Sequence, residues 1–230
     1  IAYLRSLGIF EAGFLDSLRD FRFEGDIDIM PEGTIIFPGE PLVRVTAPLS
    51  QAQLIETTML NLIGHQTLIA TKGNRVARAA QGDKVMEFGL RRAQGPDAGV
   101  LGARAAVIGG CHSTSNVMAG QRFGIPVSGT HAHSWVMSFE SELEAFRAYA
   151  EDFPDSCLLL VDTYDTLRSG VPNAITVFEE VRAQCGKPLG IRLDSGDLAY
   201  LSKEARKMLD AAGFPDTIIV ASNDLDEHII

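Results

Sequence analysis

The sequence predicts an α/β protein in which parallel strands form the sheet and helices cover it. From about residue 83 onward, short apolar runs alternate with amphipathic helical segments, and this alternation is typical of parallel strands joined by helical crossovers. Residues 21–47 instead alternate apolar and charged side chains between turns that contain Pro and Gly, which indicates short antiparallel strands. We therefore predict two parts, residues 1–80 and residues 81–230.

The first part is expected to contain a helix, a small antiparallel unit and a connecting helix. Residues 1–20 place apolar side chains at helical spacing. Ser50 and Gln53 have the spacing of a capping box, and Leu49 and Leu54 could form its hydrophobic staple. A long helix is therefore predicted to begin one residue after Ser50 and to connect the antiparallel unit to the rest of the chain.

The second part shows a repeated order of strand, loop and helix. The predicted strands are residues 84–88, 125–128, 157–162, 189–193 and 217–221. Ser141 and Glu144 have capping-box spacing at the start of one intervening helix, and Gly213 ends another. Both helices carry an apolar stripe, so they are expected to pack on the parallel sheet.

Composition and charge limit the classes of function. Hydrophobic residues make up 46% and charged residues 22% of the chain, the usual mixture for a globular protein. A formal net charge of −10 argues against nucleic acid as a partner, because nucleic-acid binders need a basic face. No apolar run is long enough to predict a membrane span. The widely spaced Cys111, Cys157 and Cys185 fit thiols in a reducing cytoplasm better than a disulfide framework.

Polar residues follow nearly every predicted strand directly. These clusters are residues 89–92, 129–134, 162–165, 194–197 and 222–224. Asp, Ser and Asn are common helix caps and Gly is common in turns, so any single cluster has an ordinary structural explanation. Because parallel strands end on the same face, where barrel enzymes place their chemistry, five clusters together predict the rim of an active site.

Two kinds of charged side chain in these clusters could bind a ligand. Arg91, Arg92 and Arg192 stand at strand ends, where they could hold a carboxylate or a phosphate through charge-assisted hydrogen bonds. Solvated surface arginine is the competing interpretation. Asp162, Asp194 and Asp197 could hold Mg²⁺, sugar hydroxyls or a histidine, or could cap helices.

The pair His131 and His133 permits a second interpretation, a metal-dependent barrel hydrolase, because His-x-His at a strand end can begin a metal site. Such a site needs further ligands on later strands, and the chain offers only His228 after this pair. Stoichiometric zinc in the purified protein would favour this hydrolase interpretation.

Six ordered motifs carry a resemblance to a known family. They are EFGLRRAQGPDAG (87–99), STSNVMAG (113–120), GTHAHSWVMSF (129–139), LLVDTYDT (159–166), GIRLDSGDL (190–198) and ASNDLDE (221–227). Together they resemble the successive motifs of the nicotinate phosphoribosyltransferases, and residues 37–57 resemble that family's β-unit and linker helix.

The resemblance implies a fold and an assembly. The expected fold is an irregular α/β barrel, incomplete at its C-terminus, preceded by a small β-rich domain and a linker helix. The expected assembly is a homodimer with shared active sites. Both ends of the chain are interpreted as cuts through a longer protein, which makes an inactive fragment or a binding module a further alternative. The family's N-terminal tyrosine and its later glycine-rich phosphate-binding segment are expected to lie outside this chain.

The resemblance also implies an activity. The enzyme would transfer the 5-phosphoribosyl group from phosphoribosyl pyrophosphate to nicotinate, giving nicotinate mononucleotide and pyrophosphate in NAD biosynthesis. ATP would be a co-substrate, consumed through a phosphohistidine, and Mg²⁺ would be the metal cofactor, with ligands that the motifs do not identify.

The catalytic residues follow from the motif positions. The family pattern Gly-Thr-x-Ala-His makes His133 the phosphorylated histidine and leaves His131 at a variable position, as a bystander. By the same resemblance Asp162 orients His133. Arg192 and Asp194 hold the ribose phosphate and its hydroxyls.

The resemblance also assigns substrate contacts. Phe88 would stack on the pyridine ring, with Arg91 three positions further along. Asn116 occupies the position at which the related nicotinamide enzyme has Asp, and Asn can donate a hydrogen bond to the carboxylate of nicotinate. Asn116 could equally cap the helix that follows it. Further residues expected to line the pocket are Ser134, Ser222 and Asn223.

Overall fold

The computed structural model describes residues 1–182 and 189–230 of this mixed α/β protein. The N-terminal elements are α1 (Ala2–Ser6), α2 (Ala12–Ser17), β1 (Asp26–Ile29) and β2 (Val43–Thr46). The helix predicted in residues 1–20 is thus two short helices, and Gly8 between them adopts a φ of +68°, which favours glycine. β1 and β2 pair antiparallel, with Asp26 opposite Thr46. The predicted antiparallel unit is therefore confirmed.

The connecting helix α3 runs from Leu49 to Ala79. The predicted capping box is wrong, because Pro48 is the N-cap residue and Ser50 lies inside the helix, where its side chain makes no cap hydrogen bond. Proline has no side-chain acceptor, so it cannot cap the helix in the way that Ser50 was predicted to do. The predicted staple is also absent, since Leu49 is 78% exposed.

The remaining elements follow the predicted order of strand and helix. They are β3 (Met86–Glu87), α4 (Pro96–Ile108), β4 (Ser113–Thr114), α5 (Val117–Phe123), α6 (His133–Val136), α7 (Glu142–Asp152), β5 (Leu158–Leu160), α8 (Val171–Val181), β6 (Gly190–Leu193), α9 (Leu198–Ala211) and β7 (Ile218–Ala221). A π-helical turn, Thr166–Gly170, precedes α8. The predicted cap of α7 is confirmed, since the Ser141 side chain accepts from the Glu144 amide at 3.2 Å.

The strands form parallel pairs in two sheets. β5, β6 and β7 make a three-stranded parallel sheet, and β3 pairs in parallel with β4. The strand predicted at 125–128 is reduced to one bridge between Thr114 and Val127. Pro126 contributes only its carbonyl to this pairing, because proline has no backbone N–H to donate. The described residues form a mixed α/β fold without a closed barrel.

The main core lies between the β5–β7 sheet and helices α7, α8 and α9. Fully buried side chains from each layer meet there, including Leu159 and Ile191 of the sheet, Phe146 of α7, Phe178 of α8 and Leu209 of α9. Each such side chain contributes roughly 1.5–3 kcal/mol through burial. The strands are held firmly in this packed core. The polar loops that follow them therefore begin at fixed positions.

A second region of close packing joins α3 to α4. Gly73 of α3 faces Ala106 of α4, and Gly109 at the end of α4 faces Ala70. A Cβ at Gly109 would lie 2.3 Å from the backbone oxygen of Ala70. Glycine at this contact therefore allows the two helix backbones to approach more closely than any side chain permits.

The N-terminal part carries many exposed apolar side chains. An apolar groove of about 750 Å³ lies between the β1–β2 unit and the first half of α3, lined among others by Val43, Val45, Ile55, Met59 and Ile63. Within the described ranges, none of the helices combines the length and the apolar character needed to cross a bilayer.

Gly109→Ala is expected to lower the free energy of unfolding of the complete protein by about 1–3 kcal/mol, because the added methyl group overpacks the contact with Ala70. Gly102→Ala is the matched control in the same helix, since its Cβ would meet its nearest neighbour, the His65 ring, only at 3.8 Å. That control should be neutral or stabilising by up to about 1 kcal/mol. Chemical denaturation checks both values, and equal stabilities for the two variants would contradict the packing argument.

Candidate active site

The carboxyl ends of β5, β6 and β7 lie side by side at one edge of the sheet. The parallel register pairs Leu160 with Arg192 and Arg192 with Val220. The polar residues that follow these strands are therefore held within hydrogen-bonding distance of each other. Asp162 follows β5 and Ser222 follows β7, so three of the predicted clusters do meet.

Arg192 of β6 connects this edge to two other parts of the fold. Its Nε donates to Ser222 Oγ, one terminal nitrogen donates to Thr130 Oγ1 and the other donates to Asp194 Oδ1, each at 2.8 Å. The guanidinium also lies 5.7 Å from the centroid of the Phe88 ring, within the range of a cation–π contact. Arg192 thereby brings Phe88, which follows β3, to the same site.

Two carboxylates with different surroundings face this edge. Asp194 accepts from Arg192 and, at 2.5 Å, from Ser222 Oγ. Burial raises the pKa of Asp194, but the hydrogen bonds from Ser222 and Arg192 outweigh it, so the net pKa lies below its usual value. Asp162 is more buried, with a side chain only 1% exposed. Its Oδ2 accepts from the Asp194 amide at 2.8 Å and from Ser195 Oγ at 2.6 Å.

One oxygen of Asp162 has no hydrogen-bond partner within the described residues. This buried atom, Oδ1, lies 4.0 Å from Nε2 of His133. A buried carboxylate oxygen without a donor is costly. The site therefore has an unused acceptor that a cation or a hydroxyl group can satisfy.

His133 begins α6 and lies between a hydroxyl group and the two carboxylates. Its Nδ1 is 3.2 Å from Thr163 Oγ1, and its Nε2 is 3.4 Å from Asp194 Oδ2. The carboxylate nearest to the ring therefore belongs to Asp194, whereas the sequence pointed to Asp162. The ring thus has carboxylate oxygens near Nε2 and a hydroxyl group at Nδ1.

His131 lies two residues away in a contrasting environment. Its Nε2 accepts the Leu160 amide at 3.1 Å, and its ring stacks edge-on against Tyr149 at 4.6 Å. Burial lowers the pKa of His131 to about 4. Its ring is thus a neutral part of the core whose acceptor nitrogen is already used, which opposes a metal site built on this pair. No group of three potential metal-binding residues occurs in the part of the chain that the structure describes.

The end of β4 supplies a third cluster, around Asn116. This residue is 3% exposed, and its Oδ1 accepts from the Ala119 amide at 3.1 Å. The capping interpretation of Asn116 is therefore correct. Its Nδ2 has no hydrogen-bond partner in the described ranges, so the same side chain retains a buried donor for a ligand.

Three predicted substrate contacts are not joined to this network. Arg91, Ser134 and Asn223 are all exposed, and none of them makes a side-chain hydrogen bond within residues 1–182 and 189–230. The neighbouring Arg92 pairs with Asp224 at 3.4 Å. Exposure at the rim is compatible with contacts that form only when a substrate is bound.

Three further hydroxyl side chains that complete the network were not among the predicted site residues. Thr130 accepts from Arg192, Thr163 contacts His133, and Ser195 donates to Asp162. Each lies inside one of the polar clusters, so the available signal was its position directly after a strand. Hydroxyl residues are too common in turns for residue type alone to identify them.

Both parts of the chain match sequence models of one family. The sequence model of the nicotinate phosphoribosyltransferase N-terminal domain matches residues 1–64, and the model of the nicotinate phosphoribosyltransferase family matches residues 84–227. The chain belongs to the nicotinate phosphoribosyltransferase family.

Individual members of the family are similar along most of this chain. Nicotinate phosphoribosyltransferase of Bacillus subtilis is 59% identical over 201 residues, which is 87% of this chain and 41% of that protein. A nicotinate phosphoribosyltransferase of Mycobacterium tuberculosis is 48% identical over 236 aligned residues, covering 100% of this chain and 49% of its own length. The chain thus spans about half the length of these curated relatives.

Two solved structures show a similar fold. The crystal structure of human nicotinic acid phosphoribosyltransferase matches 99% of this chain and 57% of its own chain, with a TM-score of 0.88 and 34% identity. Nicotinate-nucleotide pyrophosphorylase from Pyrococcus furiosus matches 90% of this chain and 53% of its own, with a TM-score of 0.80 and 27% identity. The similarity therefore extends over both parts of the chain.

The buried, neutral His131 predicts a pH dependence of stability. Its pKa is lowered from 6.5 to about 4 in the folded chain, so the unfolded chain binds the extra proton more readily between these pH values. The contribution of neutral His131 to the free energy of unfolding should be fully present above about pH 6.5. It should fall by roughly 3 kcal/mol as the pH is lowered toward 4.

His131→Gln should remove that part of the pH dependence, because Gln can accept from the Leu160 amide without binding a proton. Urea unfolding of the complete protein at pH 7 and pH 4.5 measures the difference, with the exposed His112→Gln as the control. If His131→Gln and His112→Gln lose stability equally on acidification, His131 is not the responsible group.

Proposed function

We propose that the complete protein containing this chain transfers the 5-phosphoribosyl group from phosphoribosyl pyrophosphate to nicotinate. The products are nicotinate mononucleotide and pyrophosphate, and the reaction belongs to NAD biosynthesis. The observation that carries this proposal is the network of Arg192, Asp194, Asp162 and His133 at the strand ends, in a chain whose family model names this activity.

The reaction requires opposite charges at two places. Displacement of pyrophosphate gives the anomeric carbon oxocarbenium character while negative charge grows on the leaving group. Asp194 stays ionised beside Arg192, so a carboxylate is available for the ribose hydroxyls. The Arg192 guanidinium, fixed by three hydrogen bonds, can complement a phosphate without reorganising, which is the preorganisation that lowers a barrier.

The pyridine ring is proposed to bind at Phe88, whose ring lies below the Arg192 guanidinium. An aromatic face at the end of a strand suits a planar ligand. Nδ2 of Asn116 is a buried donor, and Arg91 offers a positive charge at the rim. Together they would bind the carboxylate of nicotinate, with Ser134, Ser222 and Asn223 lining the remainder of the pocket.

ATP coupling is proposed to proceed through phosphorylation of His133 at Nδ1. This nitrogen keeps the lone pair because Nε2–H faces Asp194 and Asp162. In the transfer step the Nδ1–P bond forms as the bond from the γ-phosphorus to ADP breaks. The carboxylates stabilise the positive charge that the ring then carries. Thr163 Oγ1, 3.2 Å from Nδ1, fixes the orientation of the ring.

The residues present fit the implied Mg²⁺. Asp162 Oδ1 is a buried oxygen without a donor and Asp194 Oδ2 lies at the same side of His133, and carboxylate oxygens are ligands that Mg²⁺ prefers. These two residues would hold the ion together with phosphate oxygens of the substrate. When bound, Mg²⁺ supplies positive charge for the leaving group.

The architecture and assembly complete the proposal. The parallel sheets would form part of an irregular α/β barrel over residues 81–230, next to a β-rich domain that includes residues 1–80. The complete enzyme is proposed to be a cytoplasmic homodimer with shared active sites. This chain alone should show little turnover, because both substrates must be held in one geometry.

In the complete protein, His133→Ala should abolish phosphorylation by ATP and the coupled transfer, since the other histidine of the motif, His131, is buried in the core. His131→Gln should retain phosphorylation, because His131 is a core residue. Incubation with γ-labelled ATP and peptide mapping locate the label, and its acid lability identifies a phosphohistidine. A label on His131, or a full label on the His133→Ala protein, would overturn the assignment.

Asn116→Asp should weaken the use of nicotinate at least about tenfold, on the order of 1.4 kcal/mol in transition-state binding. Asp replaces a donor by a charge that repels the substrate carboxylate, yet it still caps α5. The use of nicotinamide should be weakened less, so the ratio of kcat/KM for nicotinate to kcat/KM for nicotinamide should fall. Steady-state kinetics with both substrates measures this ratio, and an unchanged ratio would leave Asn116 with the capping role alone.

A further inference from the structure

Glu142 is a buried carboxylate that the proposed reaction does not use. Among the described residues the buried acidic ones are Asp162 and Glu142, and Glu142 is only 5% exposed. A buried carboxylate costs several kcal/mol unless donors or cations compensate it. No cation pairs with Glu142 in the part of the chain that is described, so neutral donors must hold it.

Those donors lie on the π-helical turn and on α8. Glu142 Oε2 accepts from Ser169 Oγ and, at 2.9 Å, from Asn173 Nδ2. Asn173 also donates to Ser169 Oγ at 3.3 Å, which closes a three-membered cluster. Glu142 is the first residue of α7, where the helix dipole favours a negative charge. The cluster therefore fastens the start of α7 to the turn Thr166–Gly170.

The π-helical turn contacts both ends of the loop that carries Asp162 and Thr163. Gly170 packs so closely on the end of β5 that a Cβ there would lie 1.8 Å from the Val161 oxygen. Val161 directly precedes Asp162, and Asp165 at the other end of the loop caps the turn through the Arg168 amide at 2.9 Å. The turn thus fixes both ends of the loop that presents Asp162 and Thr163.

On its other side, α7 is attached to the short helix that presents His133. Trp135 of α6 donates from Nε1 to the Ala145 oxygen of α7 at 3.2 Å. The Trp135 ring also packs against Phe139, with centroids 4.9 Å apart. Glu142 therefore lies at the junction between the element that carries His133 and the loop that carries Thr163.

We propose that Glu142 is a positioning residue that sets the contact between His133 Nδ1 and Thr163 Oγ1, and thereby the aim of the nucleophilic nitrogen. The mechanistic part rests on the proposed function. Without the Glu142 acceptor, Ser169 and Asn173 lose their shared partner and the turn is free to shift. A displacement of about 1 Å at a reacting group can cost on the order of a hundredfold in rate.

The test compares three variants of the complete protein. Glu142→Ala removes the acceptor, whereas Glu142→Gln keeps an amide oxygen of similar shape. Glu144→Ala is the matched control, because it removes an exposed carboxylate from the same helical turn. The readouts are the ring signals of isotopically labelled histidine by NMR, the rate of His133 phosphorylation, and kcat and KM for nicotinate.

Glu142→Ala should shift the His133 ring signals, and lower the phosphorylation rate and kcat at least about tenfold. Its KM for nicotinate should stay within about twofold, because Phe88 and Asn116 belong to the other sheet. Glu142→Gln should recover at least a third of the wild-type rate, and Glu144→Ala should match the wild type. If Glu142→Ala does not fold, Ser169→Ala should give the same pattern in weaker form.

A different pattern would overturn the proposal. Glu142→Ala, or Ser169→Ala in its place, could leave the His133 signals and kcat unchanged and lower only thermal stability, which would make the cluster purely structural. The NMR readout separates this failure from failure of the proposed function. If the wild type makes no phosphohistidine, the His133 signals still report whether Glu142 positions the ring.

Discussion

The hydrogen bonds of the Arg192 guanidinium hold together parts of the chain that are distant in sequence. Arg192 belongs to the central strand of the β5–β7 sheet, and its three bonds reach Thr130, Asp194 and Ser222. A hydrogen bond to a charged group contributes about 1.5–3 kcal/mol, and a rigid guanidinium fork loses less freedom than a lysine would in forming several of them. The contact with Phe88 extends this arrangement to the β3–β4 sheet. One largely buried side chain therefore contacts residues that follow strands of both sheets.

The site combines this fixed cation with buried polar side chains that are incompletely satisfied. Asp162 uses one oxygen for Ser195 and the Asp194 amide and leaves the other without a donor in the described ranges. Asn116 shows the same pattern, with one atom used for capping and the other unused. A fold selected for stability alone would have little reason to retain such atoms, because each costs about 1–3 kcal/mol. Both atoms lie just beyond strand ends, in the region proposed above to bind substrate.

Much of the fold and of the site was predictable from the sequence, because both rest on local patterns. Apolar runs of strand length predicted β5, β6 and β7, and the polar residues after them predicted the edge at which Asp162, Asp194 and Ser222 meet. The start of α3 was mispredicted. The capping-box spacing predicted Ser50 as the N-cap residue, but Pro48 occupies that position and the helix begins at Leu49. The sequence pattern also could not identify which carboxylate lies nearest to His133. Asp162 and Asp194 each follow a strand, and only the three-dimensional arrangement distinguishes 3.4 Å from 4.0 Å.

The two histidines show why residue type alone could not assign the chemistry. His131 and His133 are separated by one residue, yet the first points into the core against Tyr149 and the second begins a helix at the site. Burial removes the proton from His131 and the Leu160 amide uses its remaining lone pair, so His131 has no free nitrogen at which to react. His133 is 38% exposed and has a carboxylate at one nitrogen and a hydroxyl at the other. The different surroundings of the two rings thus follow from the side of the chain on which each ring lies.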